Sequence, residues 1–350
     1  MSKFFPLKIK DVIRETEQAV SLEFEIPPDL KPEFSFTAGQ YITIKLDIDG
    51  KEIRRSYSIC TSPNEESFKV TVKEVKDGTF SVLANNKLKA GDTLEVHPPE
   101  GKFVYEPKQD DHKHSYAAFA AGSGITPVLS IIKSVLESEK HSRFVLVYGN
   151  KTPDETIFFK QLLELQMEHP DRLFIEFVYS KTKEEASHYG RIDAGTVNYV
   201  IKNKFKDTTF TSFYLCGPEE MINNVTEILT TNGIKKENIL FELFKSEVEG
   251  EVKSSLEGET TLTITVDDED TTFGMPKNMT VLQAALDQGL DVPYSCRGGI
   301  CSSCVARITE GKAEMEKNSI LVDSEIEEGL VLTCQAHPTT PTLKVDYDDV

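Results

Sequence analysis

The first hundred residues alternate between apolar and polar positions over short stretches. Residues 41–46 and 68–75 alternate in this way or are rich in β-branched side chains, and Pro, Gly, Asn and Asp separate such stretches from their neighbours. Alternation with a period of two is typical of strands that have one buried face. Because these short strands follow one another along the chain, residues 1–107 are predicted to form a small antiparallel β-barrel made of strands.

From residue 108 onward, short apolar runs alternate with segments of helical spacing. The apolar runs are predicted to be strands at residues 115–121, 143–148, 173–179 and 212–216. The helical segments are predicted after a glycine-containing turn up to about residue 139, at 157–168, and at 218–231. Regular alternation of strands and helices predicts a parallel α/β sheet over residues 108–245.

The last third of the chain begins with a change of composition. Residues 246–260 are rich in Glu, Ser and Gly and poor in apolar groups, which predicts a flexible linker. A β-like stretch at 261–266 and a helix at 280–288, with Gly289 as its C-terminal cap, open a separate domain over residues 261–350.

The net charge of −19 is concentrated toward the C-terminus. Residues 261–350 hold 16 Asp and Glu against 6 Lys and Arg. An acidic surface of this kind disfavours nucleic acid and anionic membranes and would attract a basic patch on a protein partner, although solubility alone explains it equally well. No apolar run approaches the length of a membrane span, and no signal peptide is visible in residues 1–10, so the cytoplasm is the expected location.

Four of the six cysteines lie near the C-terminus, at Cys296, Cys301, Cys304 and Cys334. Their spacing, C-x4-C-x2-C with a fourth Cys 30 positions later, is the plant-type [2Fe–2S] ligand pattern. Gly298 and Gly299 let the backbone curl closely around a cluster. Structural zinc usually needs two short Cys/His pairs, and disulfides need an oxidising compartment, so a [2Fe–2S] centre is the favoured prediction.

Two glycine-containing turns indicate a nucleotide site in the α/β region. Gly122, Gly124, Thr126 and Pro127 lie between a predicted strand and a predicted helix, where backbone N–H groups are available to phosphate. The third glycine of the dinucleotide fingerprint is missing, so a purely structural turn remains an alternative. The tripeptide at 216–218 follows a later strand, and ligands bind at this edge of α/β sheets.

Arg55 and Tyr57 lie two positions apart in a predicted strand of the barrel. Alternate residues of a strand share a face, so the two side chains could act together. An Arg can clamp a phosphate and a Tyr can stack on a ring, although an ordinary strand with a surface Arg is an equally simple reading.

Taken together, these motifs resemble one family over nearly the full length of the chain. The chain resembles the ferredoxin–NADP reductase-like flavin reductases that carry a C-terminal plant-type [2Fe–2S] ferredoxin domain. The motifs are Arg55-x-Tyr57-Ser58, Gly122-x-Gly124-Ile-Thr126-Pro127, Tyr148-Gly149-Asn150, Cys216-Gly217-Pro218, Phe241-Glu-Leu-Phe244 and the four-cysteine loop. The resemblance implies an FAD-binding barrel, an NAD(P)-binding α/β domain and an α+β (β-grasp) ferredoxin domain.

The resemblance also implies roles for the matching residues. Those expected to bind FAD are Arg55, Tyr57, Ser58, Val72, Lys73, Gly78, Thr79, Phe80, Ser81 and Phe244. Those expected to bind the nicotinamide cofactor are Gly122, Gly124, Thr126, Pro127, Ser180, Arg191, Cys216, Gly217 and Pro218. Ser58, Thr126, Cys216 and Glu242 are expected near the reacting atoms. A whole domain follows Phe244, so this aromatic residue departs from the family pattern of a chain-terminal aromatic.

The choice between NADPH and NADH depends on charge. Ser180 follows a predicted strand and Arg191 lies further along, and these groups suit a 2′-phosphate. Glu184 and Glu185 lie nearby, so NADH stays open, but NADPH is favoured.

These expectations combine into one electron path. A nicotinamide gives two electrons as a hydride, a [2Fe–2S] centre takes one at a time, and FAD converts between them. The resemblance implies that electrons pass from NAD(P)H to FAD, then to the [2Fe–2S] centre, and finally to a partner metalloprotein. The leading acceptor is a di-iron oxygenase that acts on an aromatic acyl-CoA. Another oxygenase, a steroid hydroxylase, a desaturase or a hybrid-cluster protein is an alternative acceptor, and a non-catalytic electron-carrier protein is a third reading.

Overall fold

The computed structural model describes residues 3–48, 50–108, 110, 112–244 and 257–350. The chain divides into two compact units. One comprises Pro6–Ile42 and Tyr57–Phe244, and the other comprises Met1–Phe5, Thr43–Ser56 and Lys245–Val350. The segment Thr43–Ser56 therefore packs with the C-terminal part of the chain, although its sequence neighbours belong to the other unit.

The first sheet is antiparallel and closes on itself. Its strands are β1 (Phe5–Thr16), β2 (Ala19–Glu25), β3 (Tyr41–Ile48), β4 (Lys51–Ser58), β5 (Phe68–Lys73) and β6 (Thr93–Val96), in the order β4-β3-β6-β1-β2-β5. Just beyond β4, Ile59 forms an antiparallel bridge with Val70 of β5. The two outer strands of the order therefore meet, and the predicted barrel is confirmed.

The reading of residues 1–107 as strands alone was wrong in one segment. Helix α1 (Thr79–Asn86) follows β5 and buries Phe80 and Ala84, which lie four positions apart on one face. Eight residues are too few for a helical period to stand out against the alternating pattern around them. The expected FAD-binding residues Thr79, Phe80 and Ser81 consequently lie in the first turn of a helix, and Gly78 caps it.

The second sheet is parallel throughout. Its strands are β7 (Ser115–Ala121), β8 (Arg143–Asn150), β9 (Leu173–Tyr179), β10 (His188–Tyr189), β11 (Ser212–Gly217) and β12 (Ile239–Leu243), in the order β10-β9-β8-β7-β11-β12. Its helices are α2 (Ile125–Ser138), α3 (Phe159–Glu168), α4 (Ala194–Asn198) and α5 (Glu219–Thr231). The strand order reverses direction at β7, and ligands of such sheets bind at the carboxyl ends of the strands at this point.

The sequence did not predict α4 and the π-helical turn Tyr199–Lys204 that continues it. Only Val197 and Val200 are buried in these eleven residues, so no apolar stripe marks the helix. Asp193 begins it, because its Oδ1 accepts a hydrogen bond from the Thr196 backbone N–H at 2.8 Å.

The third region is an α+β domain. Its strands are β13 (Glu259–Val266), β14 (Glu269–Pro276), β15 (Val305–Glu310), β16 (Ala313–Met315), β17 (Leu330–Leu332), β18 (Ala336–Pro338) and β19 (Thr342–Asp346), and its helices are α6 (Val281–Asp287) and α7 (Asp323–Glu327). Five strands form a mixed sheet in the order β14-β13-β19-β15-β17, and β16 pairs with β18. The α6 helix begins at Val281, one residue after the predicted start, because Thr280 is its N-cap and its Oγ1 accepts a hydrogen bond from the Gln283 N–H at 3.2 Å.

The predicted linker at 246–260 lies mostly outside the described residues, which resume at 257. Strand β13 already begins at Glu259, where it pairs with Pro276 of β14. The last two residues of the predicted linker therefore belong to the sheet of the C-terminal domain.

Candidate functional site

The turn between β7 and α2 approaches the end of β11 more closely than a side chain would permit. A Cβ built on Gly124 would lie 2.1 Å from the carbonyl oxygen of Cys216, so only glycine fits here. Gly122 adopts a φ of +56°, and its carbonyl accepts a hydrogen bond from Tyr148 Oη at 2.9 Å. The two glycine-containing motifs that the sequence singled out are therefore in contact at the carboxyl edge of the sheet.

A cavity of about 1120 Å³ opens at this edge. A space of this size is at the upper end of cofactor and ligand pockets. Among the residues predicted to bind a cofactor, those that line it are Lys73, Gly122, Ser180, Arg191, Gly217, Pro218 and Phe244. Gly124, Thr126, Pro127 and Cys216 are buried and are not among the lining residues.

The cavity wall carries four cations and three carboxylates among its described lining residues. Lys151 of the β8–α3 connection and Lys202 of the π-helical turn line the cavity together with Arg191. Glu220 Oε2 lies 3.6 Å from Arg191 Nη1, but both side chains are largely exposed to solvent. Neither Lys151 nor Lys202 was predicted from the sequence, although Lys151 directly follows the Tyr148-Gly149-Asn150 motif and could have been found from it.

Three residues expected near the reacting atoms lie together. Cys216 of β11 pairs directly with Glu242 of β12 in the parallel register, and Ser58 Oγ donates a hydrogen bond to Glu242 Oε2 at 3.0 Å. All three side chains are buried. Burial, reinforced by the Glu242 carboxylate, raises the pKa of the Cys216 thiol well above its ordinary value, so the thiol is protonated at neutral pH and is a poor nucleophile.

Thr126, the fourth such residue, is held by its own helix. Its Oγ1 donates to the carbonyl oxygen of Ser123 at 3.0 Å, and its side chain is buried. This bond fixes the first turn of α2 and the backbone that leads from Gly122.

The end of β4 presents an aromatic surface. The Tyr57 ring packs against the Phe80 ring with a centroid separation of 5.3 Å. Phe80 is buried and so orients Tyr57 from behind, while Tyr57 itself is half-buried. Arg55, two positions earlier on the same strand, is also half-buried. An aromatic ring and a guanidinium at this spacing suit an isoalloxazine ring and a phosphate.

The first turn of α1 is shaped for close approach of a ligand to its backbone. A Cβ on Gly78 would lie 2.4 Å from Ser81 Oγ, and that hydroxyl accepts a hydrogen bond from the Val75 N–H at 3.1 Å. Thr79 is exposed at the start of the helix, where backbone N–H groups attract anions. Val72 is different: its side chain lies in the barrel core, and its carbonyl accepts from Asn85 Nδ2 at 3.1 Å.

The four cysteines of the C-terminal domain lie as two neighbouring pairs. Cys296 lies beside Cys301, and Cys304 lies beside Cys334. Among the described residues, no group of three or more His, Cys, Asp or Glu side chains is arranged to hold a single metal ion. Two pairs of thiols match a [2Fe–2S] cluster, because each of its two irons takes two protein thiolates.

The loop around these thiols leaves no room for larger residues. Gly299 has a φ of +69°, and a Cβ there would lie 2.7 Å from the carbonyl oxygen of Lys317. The Gly298 N–H donates to Cys296 Sγ at 3.4 Å, as expected for a loop whose amides point at sulfur. The donor set and the loop therefore fit a [2Fe–2S] cluster held by Cys296, Cys301, Cys304 and Cys334.

Three family models match successive parts of the chain. Residues 6–105 match an oxidoreductase FAD-binding domain, residues 119–227 match an oxidoreductase NAD-binding domain, and residues 264–339 match a 2Fe-2S iron-sulfur cluster binding domain. The chain is 35% identical over 353 residues to one of the subunits of 1,2-phenylacetyl-CoA epoxidase from Escherichia coli, with 99% of each chain covered. The chain belongs to this family of FAD- and [2Fe–2S]-containing reductase components.

Other relatives share the same layout. The ferredoxin reductase component of 3-ketosteroid-9-alpha-monooxygenase from Rhodococcus rhodochrous is 33% identical over 357 residues, covering 97% of this chain and 96% of that one. The solved structure of phthalate dioxygenase reductase superposes with a TM-score of 0.61 at 24% identity, with 98% of each chain covered. The chain is thus an NAD(P)H-dependent oxidoreductase with FAD, NAD and [2Fe–2S] domains.

We found no helix within the described ranges with the length and apolar character needed to cross a membrane.

Proposed function

We propose that this protein is the reductase component of a multicomponent oxygenase and carries electrons from NAD(P)H through FAD and its [2Fe–2S] centre to the oxygenase. The observation that carries the proposal is full-length similarity to components of oxygenase systems, with three redox-cofactor domains in the same chain. We assign the FAD domain to residues 1–107, the NAD(P) domain to 108–245 and the ferredoxin domain to 261–350.

The residues of the chain bind and orient the reactants. Bound FAD supplies the conversion between hydride chemistry and single-electron transfer. Tyr57, supported by Phe80, offers a face on which the flavin packs, and Arg55 anchors its phosphate. Ser58, whose hydroxyl is held by Glu242, would lie near the reacting end of the flavin. The buried and neutral Cys216 would support the nicotinamide side of this site from behind, next to Glu242 in the register of β11 and β12.

For the acceptor, we propose a di-iron phenylacetyl-CoA epoxidase, with the acyl-CoA bound by the partner. The support is the 35% identity with the Escherichia coli 1,2-phenylacetyl-CoA epoxidase component, against 33% for the steroid monooxygenase reductase. The second candidate is therefore the 3-ketosteroid-9-alpha-monooxygenase type of system, whose reductase component matches 97% of this chain. The acidic C-terminal domain would meet a basic patch on either partner.

The test is reconstitution with purified acceptors. The protein is mixed with NADPH or NADH and either the oxygenase subunits of a phenylacetyl-CoA epoxidase or those of a steroid 9α-monooxygenase. Product that forms only with the epoxidase supports the epoxidase as the acceptor. Product that forms only with the steroid monooxygenase makes that enzyme the acceptor instead. If neither NADPH nor NADH bleaches the flavin under anaerobic conditions, the electron path itself is wrong.

Replacing Arg55 with Ala is expected to yield protein depleted of FAD. The charge-assisted bonds that an Arg makes to phosphate contribute roughly 1.5–3 kcal/mol each, so FAD affinity should fall by about tenfold to a hundredfold. The measurement is the ratio of absorbance at 450 nm to that at 280 nm after gel filtration, followed by titration with FAD. Lys8→Ala, an exposed cation on β1, is the control. Full flavin occupancy in Arg55→Ala would contradict the assignment.

Replacing Arg191 with Ala is expected to lower kcat/KM for NADPH by about tenfold and to change that for NADH by less than about twofold, because a 2′-phosphate loses one ionic partner. The measurement is ferricyanide reduction with each nucleotide at low ionic strength. Lys160→Ala removes an equally exposed cation from α3 and should change neither value. Equal losses with NADPH and NADH would show that Arg191 does not read the 2′-phosphate.

A further inference from the structure

Arg54, the neighbour of the expected flavin ligand Arg55, occupies an unusual position for an arginine. Its side chain is only 5% exposed. The guanidinium lies 5.0 Å from the centroid of the Phe4 ring and 4.2 Å from that of the Tyr294 ring. Its Nε lies 2.8 Å from Glu52 Oε1, and its Nη2 lies 3.3 Å from Asp291 Oδ1. The cation is thus held by two rings and two carboxylates.

These partners join two distant parts of the sequence within one compact unit. Phe4, Glu52 and Arg54 come from the N-terminal region, whereas Asp291 and Tyr294 belong to the segment that leads into the cluster loop. Tyr294 Oη also donates a hydrogen bond to Glu52 Oε1 at 3.2 Å. The segment 291–294 is therefore fastened to the β3–β4 hairpin (Thr43–Ser56) by ionic, cation–π and hydrogen-bonding contacts that all involve Arg54 or its partner Glu52.

One further contact lies beside the cluster ligands. The hydroxyls of Ser56 and Ser295 are hydrogen-bonded to each other. Ser295 is 1% exposed and directly precedes Cys296, while Ser56 directly precedes Tyr57. The covalent chain on one side of this bond leads to a cluster thiol, and on the other side it leads to the aromatic residue proposed to pack on the flavin.

A purely structural role is the simpler explanation of a buried arginine. Buried ion pairs add little net stability, because desolvation offsets most of their attraction, so stability alone is a weak reason for this arrangement. Positioning is a stronger reason, since a planar guanidinium between two rings restrains both direction and distance. The rate of electron transfer depends on such restraint, because it requires the donor and the acceptor to be held close together.

We propose that Arg54 is a positioning residue that clamps the loop bearing the cluster to strand β4, beside the Ser56–Ser295 hydrogen bond, and that the rate of cluster reduction depends on this clamp. The inference rests on the proposed function. In the overall step, NAD(P)H loses a hydride, equivalent to two electrons and one proton. Each electron would reduce one Fe³⁺ of the cluster to Fe²⁺, and the cluster would pass the first electron to the acceptor protein before it takes the second. The proton left from the hydride would pass to water.

The test uses the full-length holoprotein carrying Arg54→Met, which keeps an unbranched apolar stem and removes the charged guanidinium. Arg307→Met is the matched control, because Arg307 is also partly buried and its ion pair and hydrogen bonds go to Asp349 and Glu328 within the C-terminal segment. Three quantities are measured: amide hydrogen exchange of peptides spanning 50–57 and 290–297, flavin reduction by stopped flow, and cluster reduction in the same traces. The electron paramagnetic resonance spectrum of the dithionite-reduced cluster reports its integrity.

In Arg54→Met we expect faster amide exchange in both peptides and cluster reduction that is at least about tenfold slower. The reason is that losing the cation–π contact and the ion pairs of Arg54 should lower the fraction of molecules with the loop clamped by about tenfold. Flavin reduction and the resonance spectrum should match those of the control. Faster exchange with unchanged cluster reduction would overturn the positioning role, and unchanged exchange would overturn the clamp itself.

A second pair of variants guards against a general loss of folding. Tyr294→Phe keeps the ring under the guanidinium and should retain cluster reduction within about twofold, whereas Tyr294→Leu removes the ring and should slow it as Arg54→Met does. Equal rates in the two variants would contradict the proposal. If the wild-type protein and the control fail to reduce their flavin with NAD(P)H, the proposed function is wrong, and the exchange measurement still decides whether Arg54 clamps the loop.

Discussion

Replacing Cys301 with serine is expected to abolish the [2Fe–2S] cluster and all cluster-dependent reduction of cytochrome c, while NAD(P)H-driven reduction of ferricyanide at FAD continues within about twofold of wild type. Serine would be a much weaker iron ligand than a thiolate, because its hydroxyl ionises far less readily, so the cluster would lose one of its four thiolates, the one beside Cys296. The family models place the FAD and NAD domains in residues 6–105 and 119–227, separate from the cysteine loop. Their chemistry should therefore survive.

The measurements are the visible spectrum, the iron content and the two acceptor assays on the same preparation. Cys60→Ser is the matched control: Cys60 is also buried, but its thiol donates to the Lys69 carbonyl at 3.4 Å, a bond that serine can also make. It should keep both cofactors. Intact cluster absorbance in Cys301→Ser would remove this residue from the ligand set, and loss of ferricyanide reduction would show that the cluster supports the flavin region.

Replacing Gly124 with Ala is expected to lower the rate of flavin reduction by NAD(P)H by about tenfold to more than a hundredfold. The new Cβ would lie 2.1 Å from the carbonyl oxygen and 2.5 Å from the carbonyl carbon of Cys216, and neither backbone atom can move without shifting β11. Overpacking of this kind costs about 1–3 kcal/mol. If that cost raises the barrier to hydride transfer, each 1.36 kcal/mol lowers the rate by about tenfold.

Stopped-flow reduction of the bound flavin measures this effect, and circular dichroism melting separates it from unfolding. Gly274→Ala is the control, since a Cβ there meets nothing within 4 Å. The cluster should be unaffected in both variants, as judged by reduction with dithionite. A normal rate in Gly124→Ala would mean that the contact between the β7–α2 turn and β11 does not shape the nicotinamide site.

The helices and strands that were predicted well are marked by a pattern within a few neighbouring residues. The strands of the parallel sheet appear as apolar runs because both faces of such a sheet are buried, and β7 and β9 have the predicted bounds. Helix α6 was predicted with Gly289 as its C-terminal cap, a signal that acts within one turn. Helix α1 and helix α4 with its π-helical turn were missed because each buries few apolar residues over a short length.

The residues of the candidate site also divide into those that a local pattern predicts and those that only the fold brings together. The cysteine spacing and the glycine-containing turns are short-range patterns, because a ligand loop or a tight turn imposes its demands on neighbouring residues. Lys151 and Lys202 were not predicted as part of the cavity wall, because a single lysine carries no pattern and only the fold brings these two to one edge of the sheet.

The sequence by itself determined the class of this protein, namely three successive domains, a four-thiol loop and the strand-end turns of a nucleotide site. Only the tertiary structure decided which of these residues meet. Ser58 reaches Glu242 across 184 positions, the thiols pair as Cys296 with Cys301 and Cys304 with Cys334, and the segment Thr43–Ser56 packs with the C-terminal domain. The physical reason is that spacing along a chain encodes local backbone demands, whereas contacts between distant segments depend on strand register and on which faces are buried together.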